Sequence, residues 1–186
     1  MIIYIYQKKD AIKLKITGKI LKIIMMACGA KIGKNLTADN ILRIKQKNLR
    51  NLVIGNDVYF GPRGTLDIGK SKKVTIGNNV RFTGDYYIAS ECELKIGDQT
   101  IIGEYTSIRD FDHSYNDLST PIQKQSLSSL PTVIESNCWI GRGCAILKGA
   151  KIEKGSIIGA NSIVKSKIDE NSIAAGVPAK IIKKRG

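Results

Sequence analysis

Apolar side chains recur at every sixth position toward the end of this chain, at Ile134, Ile140, Ile146, Ile152, Ile158 and Val164. Neither a helix of 3.6 residues per turn nor simple two-residue alternation along long strands sustains that spacing, so helical bundles and ordinary sandwiches are disfavoured. The spacing also runs through Ile76, Phe82, Ile88 and Leu94, through Ile96, Ile102 and Ile108, and in broken form through Ile54, Phe60 and Leu66. The slips of phase mark loops or bulges between coils. Four residues after many of the anchors stands a small or modest side chain, Thr100, Thr106, Cys138, Cys144, Ala150, Ser156 or Ser162, and both positions are expected to point inward. A glycine often follows the anchor (Gly55, Gly61, Gly77, Gly97, Gly103, Gly141, Gly159), where a tight turn predicts positive φ. Three short strands per coil make a triangular prism in which Ile stacks on Ile. That arrangement explains the wealth of β-branched residues beside an aromatic content of only 6%.

The period breaks at two places. Residues 114–132 lack it and carry Pro121, Pro131 and five serines, so they are expected to form an excursion from the coil. Over residues 11–27, Ile12, Ile16, Ile20, Ile23, Ile24 and Ala27 fall on one helical face and Lys15, Lys19 and Lys22 on another, which predicts a basic amphipathic helix weakened by Gly18. Its apolar stripe is expected to cap the open end of the β-helix, although the same pattern permits peripheral membrane contact through residues 11–27. The expected organisation is a basic capping segment over 1–31 and a β-helix domain over 32–186.

The net charge is +14, and residues 1–50 hold twelve Lys or Arg against Asp10 and Asp39. Such an excess attracts polyanions: an anionic membrane, a phosphate-bearing cofactor or an acidic glycan. Nucleic acid is disfavoured, because stacking aromatics are few and no recognised module is present. The apolar runs at 1–6 and 23–30 fall short of the roughly 20 residues that cross a bilayer. The four cysteines, Cys28, Cys92, Cys138 and Cys144, have no CxxC spacing and follow no signal peptide. Reduced thiols and a cytoplasmic location, at most at the inner face of the membrane, are therefore expected.

His113 is the only histidine. It closes the string Ser107-Ile108-Arg109-Asp110-Phe111-Asp112-His113 where the repeat stops and the excursion begins, and a coil edge beside a protruding loop makes a concave site. Imidazole suits proton abstraction near neutral pH, and Asp110 and Asp112 are placed to orient it or to meet a polar substrate. One histidine cannot supply the roughly three nitrogen ligands of a catalytic zinc site, so no metal is expected. Cys138 and Cys144 occupy inward positions and are expected to pack rather than react.

The strings D-F-D-H-S-Y from Asp110, P-T-V-I-E-S-N-C-W-I-G-R-G-C-A-I-L-K-G-A-K-I from Pro131, I-I-G-A-N-S-I-V from Ile157 and A-A-G-V-P-A-K-I-I-K from Ala174 resemble the hexapeptide-repeat acyltransferases. Within that family they are most similar to the maltose, galactoside and bacterial polysaccharide O-acetyltransferases. The resemblance implies an all-β, left-handed parallel β-helix, a homotrimer with active sites between neighbouring prisms, and acetyl-CoA along the C-terminal coils. It makes His113 the general base of direct transfer to an acceptor hydroxyl, with a backbone N–H at the oxyanion. It places Trp139, Arg142 and Ala160 along the pantetheine slot and Lys165, Ser166, Lys180 and Lys183 at the CoA phosphates, with Asp85 and Asp110 as acceptor contacts. Two departures are visible: Gly159-Ala160-Asn161-Ser162 where the family commonly has Gly-Ala-Gly-Ser, and Lys165-Ser166-Lys167 where it often has Thr-Lys-Asp.

The function this implies is O-acetylation of a sugar hydroxyl in surface polysaccharide biosynthesis. Two alternatives compete with it: N-acetylation of an amino-sugar nucleotide or small acceptor, and a non-enzymatic β-helix that serves as a scaffold or binds polyanions.

Overall fold

The computed structural model describes residues 2–69 and 73–186, with residues 2–9 as backbone alone. After one helix, Ile2–Ala27, the chain is a parallel β-solenoid of short strands that form three faces and wind left-handed. Ile32, Ile54, Ile76, Ile96, Ile134, Ile152 and Ile168 stack on the first face. Ala38, Phe60, Phe82, Ile102, Ile140, Ile158 and Ala174 stack on the second. Ile44, Leu66, Ile88, Ile108, Ile146 and Val164 form the third ladder. Nearly all of these side chains are buried, as the period of six requires, and Thr100, Thr106, Cys138, Cys144, Ala150, Ser156 and Ser162 are buried beside them.

Two of the three prism edges keep the six-residue spacing in every full coil. All variation in coil length falls on the edge joining the third face back to the first, where the chain passes from Ile44 to Ile54, Leu66 to Ile76, Ile88 to Ile96 and Ile108 to Ile134. The phase slips of the sequence are therefore one structural feature, a variable edge, and its longest insertion carries His113.

The glycines after the anchors do not adopt positive φ. That conformation falls two residues later, at Asp57, Arg63, Asn79, Gln99, Tyr105, Gly143 and Asn161. The glycines are required because neighbouring coils touch: a Cβ on Gly141 would lie 2.7 Å from the Ala160 amide nitrogen, and one on Gly103 would lie 2.6 Å from that of Arg142. At the first edge Asn78 and Asp98 accept the backbone N–H of Asn56 and Asn78 in the preceding coils, each at 2.8 Å, so polar side chains carry hydrogen bonding around the turn.

The helix closes the N-terminal end of the prism, but not with its isoleucine stripe. It lies on the strands Lys31–Ile32 and Thr37–Ala38, and it buries Gly18, Leu21 and Met25, with Leu14, Thr17 and Cys28 half-buried. Gly18 faces the Leu36 carbonyl so closely that no side chain fits; it is the crossing point of the helix and not merely a weak position in it. Leu21 and Met25, fully buried, contribute about 1.5–3 kcal/mol each. Ile12, Ile16, Ile20, Ile23 and Ile24 stay exposed on the opposite side. Among the described residues no helix is long and apolar enough to cross a membrane.

Cys138 and Cys144 lie inside the prism and donate to the carbonyls of Glu153 at 3.3 Å and Gly159 at 3.2 Å. Burial pushes both thiols above the usual cysteine range. A water-soluble thiol reagent at neutral pH should therefore label the half-buried Cys28 and Cys92 in the folded protein, and Cys138 and Cys144 only once the chain unfolds. Equal labelling rates for all four would contradict this packing.

Candidate active site

The variable edge is opened by one buried carboxyl. Asp110, wholly inaccessible, ends the third-face strand Ser107–Arg109. Its oxygens accept the Ser90 hydroxyl at 2.5 Å and the backbone N–H groups of Glu91 at 2.8 Å and Cys92 at 3.1 Å. These donors belong to the corner of the coil below, so Asp110 secures that corner at the point where its own chain leaves the coil. Asp110 is thus engaged within its own chain and not exposed to an acceptor.

Beyond it, Phe111–His113 pairs antiparallel with Leu127–Ser129, with His113 opposite Leu127. The base of this arm is tied by the Leu130 N–H to the Asp110 carbonyl at 2.9 Å and by the Thr132 hydroxyl, which donates to the Arg109 and Leu147 carbonyls. Thr132 thus already belongs to the coil, and the arm spans 111–131. At its tip the Asp117 carboxylate accepts the Ser119 hydroxyl at 2.6 Å and N–H at 2.9 Å, and hydrogen bonds from Ser119 and Thr120 lower its pKa to about 2. Lys148, from the coil above, donates to the Ser128 hydroxyl at 2.9 Å and lies 3.7 Å from the Asp112 carboxylate. Asp112 is thus paired with Lys148 rather than with the imidazole. His113 itself is exposed and makes no hydrogen bond through its ring to another described residue.

The second feature is a groove of about 460 Å³ beside the edge joining the second and third faces, lined by Ile101, Gly103, Trp139, Arg142, Ile157 and Ala160 among others. Its floor is apolar because outward-facing Ile101, Trp139 and Ile157 stack in register, while Gly103, Gly141 and Gly159 leave it open. Arg142 crosses its rim, 3.1 Å from Glu104 and 5.7 Å above the Tyr105 ring. Asp85 lies on this same edge, two coils below Arg142. Both its oxygens accept from Arg63, at 2.6 and 2.5 Å, and that guanidinium holds its carboxyl below the usual range.

The last strand, Ala179–Lys184, folds back antiparallel on Ser172–Gly176 at the end of the second face, with Lys183 opposite Ile173. Counting from Trp139 through Ile157 and Ile173 to Lys183 gives three inter-strand steps, about 14 Å. An apolar slot therefore ends in exposed cations, Lys180 and Lys183, which suits a ligand with an apolar arm and a phosphate head. Lys165 and Ser166 lie instead on the variable edge, above Lys148. Trp139, Arg142 and Ala160 line one groove, with Lys180 and Lys183 on the strand that ends the same face; His113, Lys165 and Ser166 share a different edge. Among the described residues no group of three or more His, Cys, Asp or Glu could hold a metal ion.

Residues 131–166 match the family model described as bacterial transferase hexapeptide (six repeats). The chain is 36% identical over 145 residues to a putative lipopolysaccharide biosynthesis O-acetyl transferase of Escherichia coli, an alignment covering 74% of each protein. The chain belongs to the hexapeptide-repeat acetyltransferases. A probable acetyltransferase of Mycobacterium tuberculosis is 32% identical over 137 residues, covering 74% of this chain and 45% of that protein. In fold, this acetyltransferase-family chain is similar to a mutant of AntD, an N-acyltransferase from Bacillus cereus solved with dTDP and coenzyme A, with a TM-score of 0.65 at 19% identity over 89% of both chains.

Lys148 was not anticipated from the sequence. It is one of thirty basic residues, and only its place on the coil after the excursion marks it as the support of the arm.

Proposed function

We propose that this chain is an acetyl-CoA-dependent O-acetyltransferase acting on a sugar hydroxyl in surface polysaccharide biosynthesis. The observation that carries the reading is the division of the candidate groups between two prism edges, which favours a site built from two copies. In a cyclic homotrimer the variable edge of one prism, with His113, faces the groove edge of its neighbour, with Trp139, Arg142 and Ala160. The relative in lipopolysaccharide biosynthesis supports the acceptor class, and the coenzyme A bound by the structural neighbour supports the donor.

The residues divide the chemistry as follows. The apolar groove holds the pantetheine arm, Lys180 and Lys183 meet the phosphates from the groove side, and Lys165 and Ser166 reach them from the neighbouring chain. Asp85, held by Arg63, lies on the acceptor side of the groove edge. The unprotonated His113 imidazole takes the acceptor hydroxyl proton as that oxygen bonds to the thioester carbonyl carbon. The carbon–sulfur bond then breaks, the acetyl group stays on the sugar oxygen, and the thiolate leaves with the proton returned by His113. A backbone N–H stabilises the intermediate oxyanion. Acetyl-CoA as donor places the enzyme in the cytoplasm.

Complementation tests the shared site. His113→Ala and Ala160→Trp are each expected to be inactive when pure, the second by filling the groove. Co-refolded at equal amounts, they should regain roughly a quarter of wild-type thiol release, because random assortment rebuilds that share of intact clefts. No recovery in mixed trimers would overturn the two-chain site. Turnover of amines but not of sugar hydroxyls would overturn the acceptor class.

A further inference from the structure

The N-terminal helix carries two apolar faces, and only one is used by the fold. Leu14, Gly18, Leu21, Met25 and Cys28 follow a heptad-like spacing and face the first coil. On the opposite side Ile12 (53% exposed), Ile16 (54%), Ile20 (48%) and Ile23 (68%) form a continuous row open to solvent. A branched aliphatic row that does no packing is costly to keep in water.

The charges around the row indicate what covers it. Lys15, Lys19 and Lys22 lie along one flank and Lys13 along the other. Lys15, Lys19 and Lys22 also line a groove between the helix and the first coils, together with Lys34, Thr37 and a single acid, Asp57. Lys22 is tethered to the Gly33 carbonyl at 2.5 Å; Lys13, Lys15 and Lys19 are exposed. Over residues 10–27 the only acid is Asp10. Two copies meeting through this row would bring lysine flanks against lysine flanks, whereas an anionic lipid surface offers both an apolar layer and phosphates at the depth of the lysines.

We propose that this helix is a membrane-surface anchor: the isoleucine row enters the headgroup–acyl boundary of an anionic bilayer while the flanking lysines hold the lipid phosphates. The helix lies in the plane of the surface and spans nothing. Capping and anchoring are then simultaneous roles of opposite faces. The proposal is independent of the acetyltransferase chemistry.

Flotation of the full chain with vesicles tests it. Vesicles of equal parts phosphatidylglycerol and phosphatidylcholine should bind the protein at low salt, and pure phosphatidylcholine should bind it weakly. Ile16→Glu/Ile23→Glu should lower partitioning about tenfold or more, and Lys15→Glu/Lys19→Glu by roughly twenty-five-fold, near fivefold per lysine. Thermal unfolding should be nearly unchanged in both variants, since all four side chains are exposed. Wild-type protein that fails to bind the anionic vesicles would overturn the proposal, as would binding indifferent to the isoleucine variant. Loss of an oligomer in that variant, without vesicle binding by the wild type, would assign the row to a second copy instead.

Discussion

His113→Ala is expected to lower kcat for acetyl transfer by about a thousandfold, within the range that a positioned general base contributes and equivalent to roughly 4 kcal/mol of transition-state stabilisation. The same change should leave stability within about 0.5 kcal/mol of wild type. Its backbone pairs with Leu127 whatever the side chain, and its ring is exposed. KM for acetyl-CoA should also hold, because the groove of Trp139, Arg142 and Ala160 lies on another edge of the prism. Steady-state kinetics with a sugar acceptor, beside a thermal melt, read all three quantities. A variant with near-full activity removes His113 as the base; a variant that melts early or loses acetyl-CoA affinity shows that the residue acts through the fold or the groove.

The repeat made most of the solenoid legible, because a period of six leaves few ways to bury Ile134, Ile140, Ile146 and their successors, and the ladders follow it residue for residue. The excursion was legible for the complementary reason, that Pro121, Pro131 and the serines cannot continue a coil. Three features were not. The helix has apolar residues on two sides, and amphipathicity alone favoured the longer isoleucine stripe; the signal that identifies the packed side is the spacing Leu14, Gly18, Leu21, Met25, Cys28, with glycine at the point of closest approach. The glycines after the anchors looked like turn residues, yet their need arises from the next coil, whose contacting residue lies 19 positions on for Gly141 and 39 for Gly103. The positive φ falls two positions on, at Asp57, Asn79 and Asn161, whose side chains tolerate it, but equally at Arg63, Gln99, Tyr105 and Gly143. Within the site, the two edges became visible only when the coils were wound, since sequence order interleaves Asp85, His113, Trp139 and Lys165 regardless of edge.

Asp110 shows the same gap between adjacency and role, and it supports the prediction with the largest effect on stability. Three residues before His113 in sequence, it resembles a substrate contact; in the structure it is the acceptor for Ser90, Glu91 and Cys92 inside the corner from which the arm departs. Asp110→Ala removes three hydrogen bonds at once from a buried site, a loss of about 2–4 kcal/mol that should lower Tm by roughly 6–12 °C in a domain of this size. Asp110→Asn keeps the volume but turns an amide toward at least one of those donors, so it should recover only part of the loss. Ser90→Ala, which deletes one donor, should cost about 1 kcal/mol. If Asp110 positions the arm, hydrogen exchange should quicken across 111–129 in the alanine variant and kcat should fall while KM for acetyl-CoA holds. A purely global effect would quicken exchange evenly along the coils, and an alanine variant as stable as wild type would show that the three contacts carry no net energy.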